Sequence, residues 1–189
     1  MNMKIKKTGF TIIELLIVSA IIGLLSAVVL QSLNTARQKS RNTTRLAQID
    51  QINKALEISA VTTIKLPWSN GWVCLGHTTN NTGTDCSAVA NAQSPTINNT
   101  VRTNLAGGVI PKDPSHASGL VGSWYLYHSN LVPVAQNECT AATCPQGAYL
   151  YWVTENSTIC GRGKHWSSNV NGVTGNSGCL LRIGDMVNS

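Results

Sequence analysis

A run of 21 residues at positions 10–30, FTIIELLIVSAIIGLLSAVVL, contains a single charged side chain, Glu14. At about 1.5 Å of rise per residue it makes roughly 31 Å of helix, the thickness of the hydrocarbon core of a bilayer. The apolar part of a secretory signal is shorter, roughly 7–15 residues, and a soluble core helix needs no such all-apolar stretch. The run therefore predicts a membrane-inserted helix. A carboxylate in hydrocarbon costs on the order of 2.5–3.5 kcal/mol on insertion scales, so Glu14 is a functional residue by default. It also needs a partner, because an uncompensated buried charge is strongly destabilising. No cation lies within the run. A chain cut before Phe10 would supply one: a free α-ammonium four residues away, facing Glu14 of the same helix or of a shifted neighbour.

Upstream stand Lys6, Lys7, Thr8 and Gly9, and the helix opens Phe10-Thr11-Ile12-Ile13-Glu14-Leu15-Leu16-Ile17-Val18. A short basic leader, a terminal glycine, an aromatic first residue, a glutamate four positions on and a long apolar helix together resemble the processing motif of type IV pilins and pseudopilins. The resemblance implies that a prepilin peptidase cuts between Gly9 and Phe10 on the cytoplasmic side and N-methylates the Phe10 amine. It implies that Glu14 aligns each incoming subunit by pairing with that amine on its neighbour. Helices in lipid gain little from apolar association, so a buried charge pair and close packing must drive assembly. Gly23, with Ser19, Ala20, Ser26 and Ala27, would allow close approach, although such residues are also routine in membrane helices. Many members of the family carry a helix-breaking proline where this chain has Gln31. No proline occurs here before Pro67, so any break is weaker or is set by the polar stretch 31–35.

Beyond residue 30 the pattern becomes amphipathic. Leu46, Ile49, Ile52, Leu56 and Ala60 recur at spacings of three and four, the helix period, with Asp50/Lys54 and Lys54/Glu57 as intrahelical pairs. Pro67 stops the helix, so one near-continuous helix is expected over about residues 10–64. Its stem also resembles those of some bacterial pilin-like proteins.

All six cysteines, Cys74, Cys86, Cys139, Cys144, Cys160 and Cys179, fall in residues 65–189. An even set confined beyond the membrane helix reads as disulfides in an oxidising compartment. Sequence proximity favours Cys74 with Cys86, Cys139 with Cys144, and Cys160 with Cys179. A zinc site is disfavoured, since there is no paired C-x-x-C and the four histidines (77, 116, 128, 165) are scattered. Lysine counts do not orient the helix, because basic residues flank it on both sides; the cysteines place the head outside. Aromatic and β-branched runs at 124–129, 148–154 and 179–183, with a weaker one at 72–75, read as strands. Residues 76–108 and 156–178 read as Asn/Thr/Gly-rich loops.

The fold class expected is α+β: a long N-terminal α-helix, half membrane-inserted and half amphipathic, packed on a small antiparallel β-sheet head with disulfide-stapled loops. The domains are a leader (1–9), a transmembrane and polymerisation helix (10–30), a helical stem (31–64) and an exterior head (65–189). Residues 110–114, IPKDP, are similar to the proline loop of major pseudopilins, but no calcium-ligand set can be matched to this chain.

The net charge of +6 sits in the leader and stem. The head holds six basic and five acidic side chains, which argues against a nucleic-acid grip by the head. No catalytic motif is present; Asp113 reads as a turn residue, and Asp85, Glu138, Glu155 and Asp185 form no close pair in sequence. The five tryptophans read chiefly as core or loop anchors, with Trp166, in a Gly/Ser/Asn-rich stretch, the candidate for surface contact with a glycan. No cofactor is implied. The expected role is a structural subunit of a type IV pilus-like extracellular filament. Its partners are copies of itself or other pilins, prepilin peptidase, the membrane and the assembly machinery; a surface glycan or DNA is open. The precursor would be a single-pass protein of the cytoplasmic membrane with its N-terminus inside. Competing readings are a type II secretion pseudopilin and an anchored exterior binding module that never polymerises.

Overall fold

A computed structural model describes residues 9–76, 94–114, 125–170 and 173–184. The leader lysines, Cys86, Trp124, His77, His116, Asp85 and Asp185 lie outside the described residues. Helix α1 spans Ile12–Thr63 and is followed by β1 (Val73–Leu75), α2 (Pro95–Thr103), β2 (Tyr125–Leu131), β3 (Gly147–Thr154), β4 (Lys164–Ser168) and β5 (Ser177–Gly184). The architecture is α+β as expected. The chain divides into two compact units, one ending at Lys39 and one beginning at Ser40.

In the first unit the described chain is helical from Ile12, and every large apolar side chain is exposed, from Phe10 at 83% to Leu33 at 41%. The helix runs through Gln31, and Thr35 Oγ1 donates to the Gln31 carbonyl at 3.3 Å. The polar residues of 31–35 thus do not interrupt the hydrogen-bond ladder.

In the second unit five strands form one antiparallel sheet in the order β1-β2-β3-β5-β4. Alternation sorts side chains between its two faces. Val73, Leu75, Tyr125, Tyr127, Leu150, Trp152 and Leu181 join Ile49, Ile52, Ala55 and Leu56 of α1 in the main core. Each such aliphatic or aromatic side chain contributes roughly 1.5–3 kcal/mol through its removal from water. The opposite face carries Cys74 and Leu126, and a cluster of Cys139, Cys144, Tyr149 and Leu180. Strand β3 is central and buried on both faces, which explains why its sequence, GAYLYWVT, is apolar nearly throughout.

Three expectations need correction. Residues 94–103, inside the stretch read as loop, form α2 and its N-cap: Ser94 caps the helix by accepting from Ile97 N, and Pro95 occupies its first turn, where a missing N–H does no harm. Asn98 on α2 is buried and ties it to β1, donating to the Cys74 carbonyl at 3.0 Å and accepting from Gly76 N at 2.8 Å. Edge strand β4 likewise lies within 156–178. Its ladder to β5, rather than an apolar run of its own, makes it a strand. The buried stem face also differs. It consists of Arg45, Ile49, Ile52, Asn53, Ala55, Leu56 and Ser59, while Leu46 and Ala60 are only half-buried. Arg45 occupies this face because the head supplies carboxylates to it, and Asn53 donates to Glu57 one turn on in the same helix.

Candidate functional site

The first candidate site is the start of α1. Gly9 and Phe10 precede the helix and are exposed, so the bond between them lies outside the helical ladder. Thr11 is the residue before the first helical position. Its backbone N–H donates to Glu14 Oε2 at 2.9 Å, its hydroxyl donates to the same oxygen at 2.7 Å, and Glu14 N donates to Thr11 Oγ1 at 3.4 Å. This reciprocal pairing of T-x-x-E is a capping box, and a carboxylate at a helix N-terminus also complements the helix dipole. The carboxylate therefore has a partner in its own helix. Sequence reading sought only a cation and missed Thr11, although its spacing to Glu14 was the legible signal.

The remaining polar groups of the apolar run are satisfied locally. Ser19 Oγ donates to the Leu16 carbonyl at 2.9 Å and Ser26 Oγ to the Ile22 carbonyl at 2.7 Å, as lipid demands. Nothing lies within 4 Å of where a Cβ on Gly23 would be, so the surface there is open to a neighbour. The helix is long and apolar enough to cross a membrane by length and composition.

The second feature is a buried charge cluster, which brings together Asp113 and Glu155, acids that form no close pair in sequence. Arg45 is 2% exposed. Its Nε and Nη2 donate to Asp113 Oδ2 and Oδ1 at 2.8 and 3.0 Å, Nη2 also to Glu155 Oε1 at 2.5 Å, and Nη1 to Asn42 Oδ1 at 2.7 Å. Arg41 donates to both oxygens of Glu155, and Asn42 Nδ2 donates to the Glu155 carbonyl at 2.8 Å. Asp113 is therefore more than a turn residue, and two stem arginines are held by the head. Burial alone would push the Glu155 carboxyl up, but Arg41 and Arg45 outweigh it and hold the group below its ordinary value. Burial and the Asp113 charge push the nearby Tyr125 hydroxyl well up. Elsewhere on the stem, Asp50 faces Arg162 at 3.7 Å and Glu57 accepts from Asn53 Nδ2 at 2.7 Å.

Cys139 is bonded to Cys144 and Cys160 to Cys179, the pairings that proximity favours. Cys74 is also disulfide-bonded, and Cys86, the partner that proximity favours, lies outside the described residues. Trp166 is not an exposed loop residue. It is a half-buried member of β4, within 5.9 and 6.5 Å of Tyr151 and Trp72, and its indole N–H donates to the Val134 carbonyl at 3.0 Å. The ring is held by the sheet's outer face, and Trp68, 64% exposed, is the tryptophan presented to solvent among the described residues.

The grouping of His165, Ser168 and Glu138 lacks the geometry of a nucleophilic triad. His165 Nε2 lies 3.1 Å from the Ser167 carbonyl and 3.2 Å from Ser168 Oγ, while the Glu138 carboxylate accepts from the His165 backbone N–H rather than from its ring. A base needs its second ring nitrogen oriented by the acid. Among the described residues no cluster of metal-ligating side chains occurs.

Comparison with curated proteins and with solved structures gives no match. Residues 4–30 match the prokaryotic N-terminal methylation motif, and this chain thus carries the type IV pilin and prepilin signature of a pilin-like or pseudopilin precursor.

Proposed function

We propose that the chain is a structural subunit of a type IV pilus-like extracellular filament. It is cut between Gly9 and Phe10, methylated on Phe10 and polymerised through its N-terminal helix, with residues 65–189 as the exterior head. The observation that carries this reading is the matched segment 4–30 leading into a helix whose apolar side chains have no cover of their own. Apolar surface of that extent needs lipid or other helices. Gly23 supports close packing there, and the disulfides of the head suit an exterior location. As a precursor the chain sits in the cytoplasmic membrane with its N-terminus inside. Its partners are prepilin peptidase, other pilin subunits and the assembly machinery. A secretion pseudopilin would use the same processing and packing.

The Thr11–Glu14 capping box favours a second reading. A non-polymerising anchor would also gain from Glu14, since the cap starts the helix. Intact mass and N-terminal peptide mass from the native envelope test processing. A chain beginning at N-methylated Phe10 supports the filament subunit, and one retaining Met1 or cut beyond residue 30 refutes it. Filament yield from Glu14→Gln then separates the two roles of the carboxylate.

A further inference from the structure

Among the described strands the sheet ends in two edges, β1 on one side and β4 on the other. An edge strand presents a row of peptide N–H and C=O groups on which another chain can add a strand.

On the β1 side, Ser129 N of β2 donates to Ser69 Oγ, just ahead of β1, at 2.8 Å. The odd-numbered peptide groups of β2 therefore face β1. Through the register Val73↔Tyr127 and Leu75↔Tyr125, Val73 and Leu75 point toward β2, whereas Cys74 and Gly76 point away from it. Asn98 fills that outward side. Its Nδ2 donates to the Cys74 carbonyl at 3.0 Å, and Gly76 N donates to its Oδ1 at 2.8 Å. One side-chain amide thus takes the donor and acceptor places of a neighbouring strand. Asn98 is 2% exposed and is itself tied to the Ser94 carbonyl at 3.1 Å.

On the β4 side, His165 turns both of its peptide groups away from β5. Its carbonyl accepts from Glu138 N at 3.0 Å, and its N–H donates to Glu138 Oε2 at 2.9 Å. This is the two-bond exchange of an antiparallel pair, with a carboxylate oxygen in place of the partner's carbonyl. The Glu138 carbonyl is engaged elsewhere, accepting from Thr143 Oγ1 at 2.7 Å. Beside the bulge between His165 and Ser167, Asn137 Nδ2 donates to the Trp166 carbonyl at 2.7 Å. The Cys139–Cys144 bridge begins at the next residue, so the short disulfide loop holds this cap in place.

We propose that Asn98 and Glu138 keep a second copy of this chain from adding a strand to either edge of the sheet, by filling with side-chain atoms the positions its backbone would take. Neither residue lies in a strand, and each comes from a separately anchored segment, α2 and the disulfide loop. The device serves any head held beside other copies in a membrane and does not depend on the filament reading.

The test uses the full chain in detergent micelles at a low and a high ratio of protein to micelle. Amide hydrogen exchange at His165 and Gly76 and the number of chains per micelle are read together. In the parent both amides should exchange slowly at both ratios. Glu138 is exposed, so Glu138→Ala should fold. Its His165 amide should exchange about tenfold faster when dilute and regain protection as chains crowd, with more chains per micelle than the parent. Glu138→Gln, which still offers an acceptor oxygen, should behave as the parent. Asn98→Ala should have the corresponding effect at Gly76, and Glu138→Ala decides the proposal should that variant fail to fold. Val101→Ala loosens the core under α2 but leaves both caps, so it should gain no association. A His165 amide that stays fast in Glu138→Ala at both ratios, or stays slow when dilute, would overturn the proposal. So would association of Val101→Ala equal to that of Glu138→Ala.

Discussion

Glu14 serves the cap of its own helix and, in the filament reading, the amine of a neighbour; the two uses respond differently to substitution. Glutamine at this third helical position still completes a capping box, so Glu14→Gln keeps the helix start and removes only the charge. Alanine removes both. If subunit alignment depends on charge, both variants should lose filaments while Thr11→Val, which loses the hydroxyl half of the cap, keeps them. If the cap alone matters, Glu14→Gln should assemble normally and Glu14→Ala should not. Counting filaments by electron microscopy at matched envelope levels separates these outcomes. Arg45 and Arg41 offer a second contrast, one that burial decides. Arg45→Met leaves Asp113 buried without its guanidinium, and breaking a pair of this kind costs about 3–5 kcal/mol. Arg41, with 32% of its side chain exposed, is screened by water, so Arg41→Met should cost less than about 1 kcal/mol. Chemical denaturation followed by tryptophan fluorescence would measure both, and equal losses would refute the ranking.

At the scale of elements, the two observed disulfides differ in what they close. Cys160–Cys179 spans 19 residues and joins the main core through both cysteines, whereas Cys139–Cys144 spans 5. Loop-closure entropy alone gives about 3 kcal/mol for the first and about 2 kcal/mol for the second. The double serine variant of the longer bridge should therefore lower the unfolding midpoint more, a result that thermal melts under non-reducing conditions can check. The long helix, the central strand β3 and the local disulfides were legible because each rests on a pattern within one stretch of chain. Strand β4 was not, because KHWSS earns its place by pairing with β5, and α2 was obscured by its Asn- and Thr-rich composition despite the Ser-Pro start. The cluster at Arg45 was illegible for a different reason. Its partners Asp113 and Glu155 stand 68 and 110 residues away, and no local spacing encodes that meeting. Thr11 was legible and overlooked, since its signal is a spacing of three.

Over the second unit as a whole, two groups of unlike sign set the response to acid in separate windows. Glu155 is held below its ordinary value in the folded protein because Arg41 and Arg45 outweigh the opposing effect of burial. Its contribution is fully present above the unfolded carboxyl value of about 4.3 and fades as pH falls through the lower folded value. His128 is half-buried against Trp72, their rings 5.2 Å apart, and its Nδ1 accepts from Asn130 N at 3.0 Å. Burial lowers its value, so the unfolded chain takes up a proton first and stability falls as pH drops below about 6.5. The denaturation midpoint should thus decline in two steps on acidification. His128→Gln should flatten the upper step and leave the lower one. Glu155→Gln should lower stability at neutral pH, where Arg41 and Arg45 lose a shared carboxylate, and flatten the lower step. A Glu155→Gln protein whose midpoint falls below pH 4 as steeply as the parent's would show that other carboxylates carry the acid response, and the Arg45 cluster would then not be what acid opens.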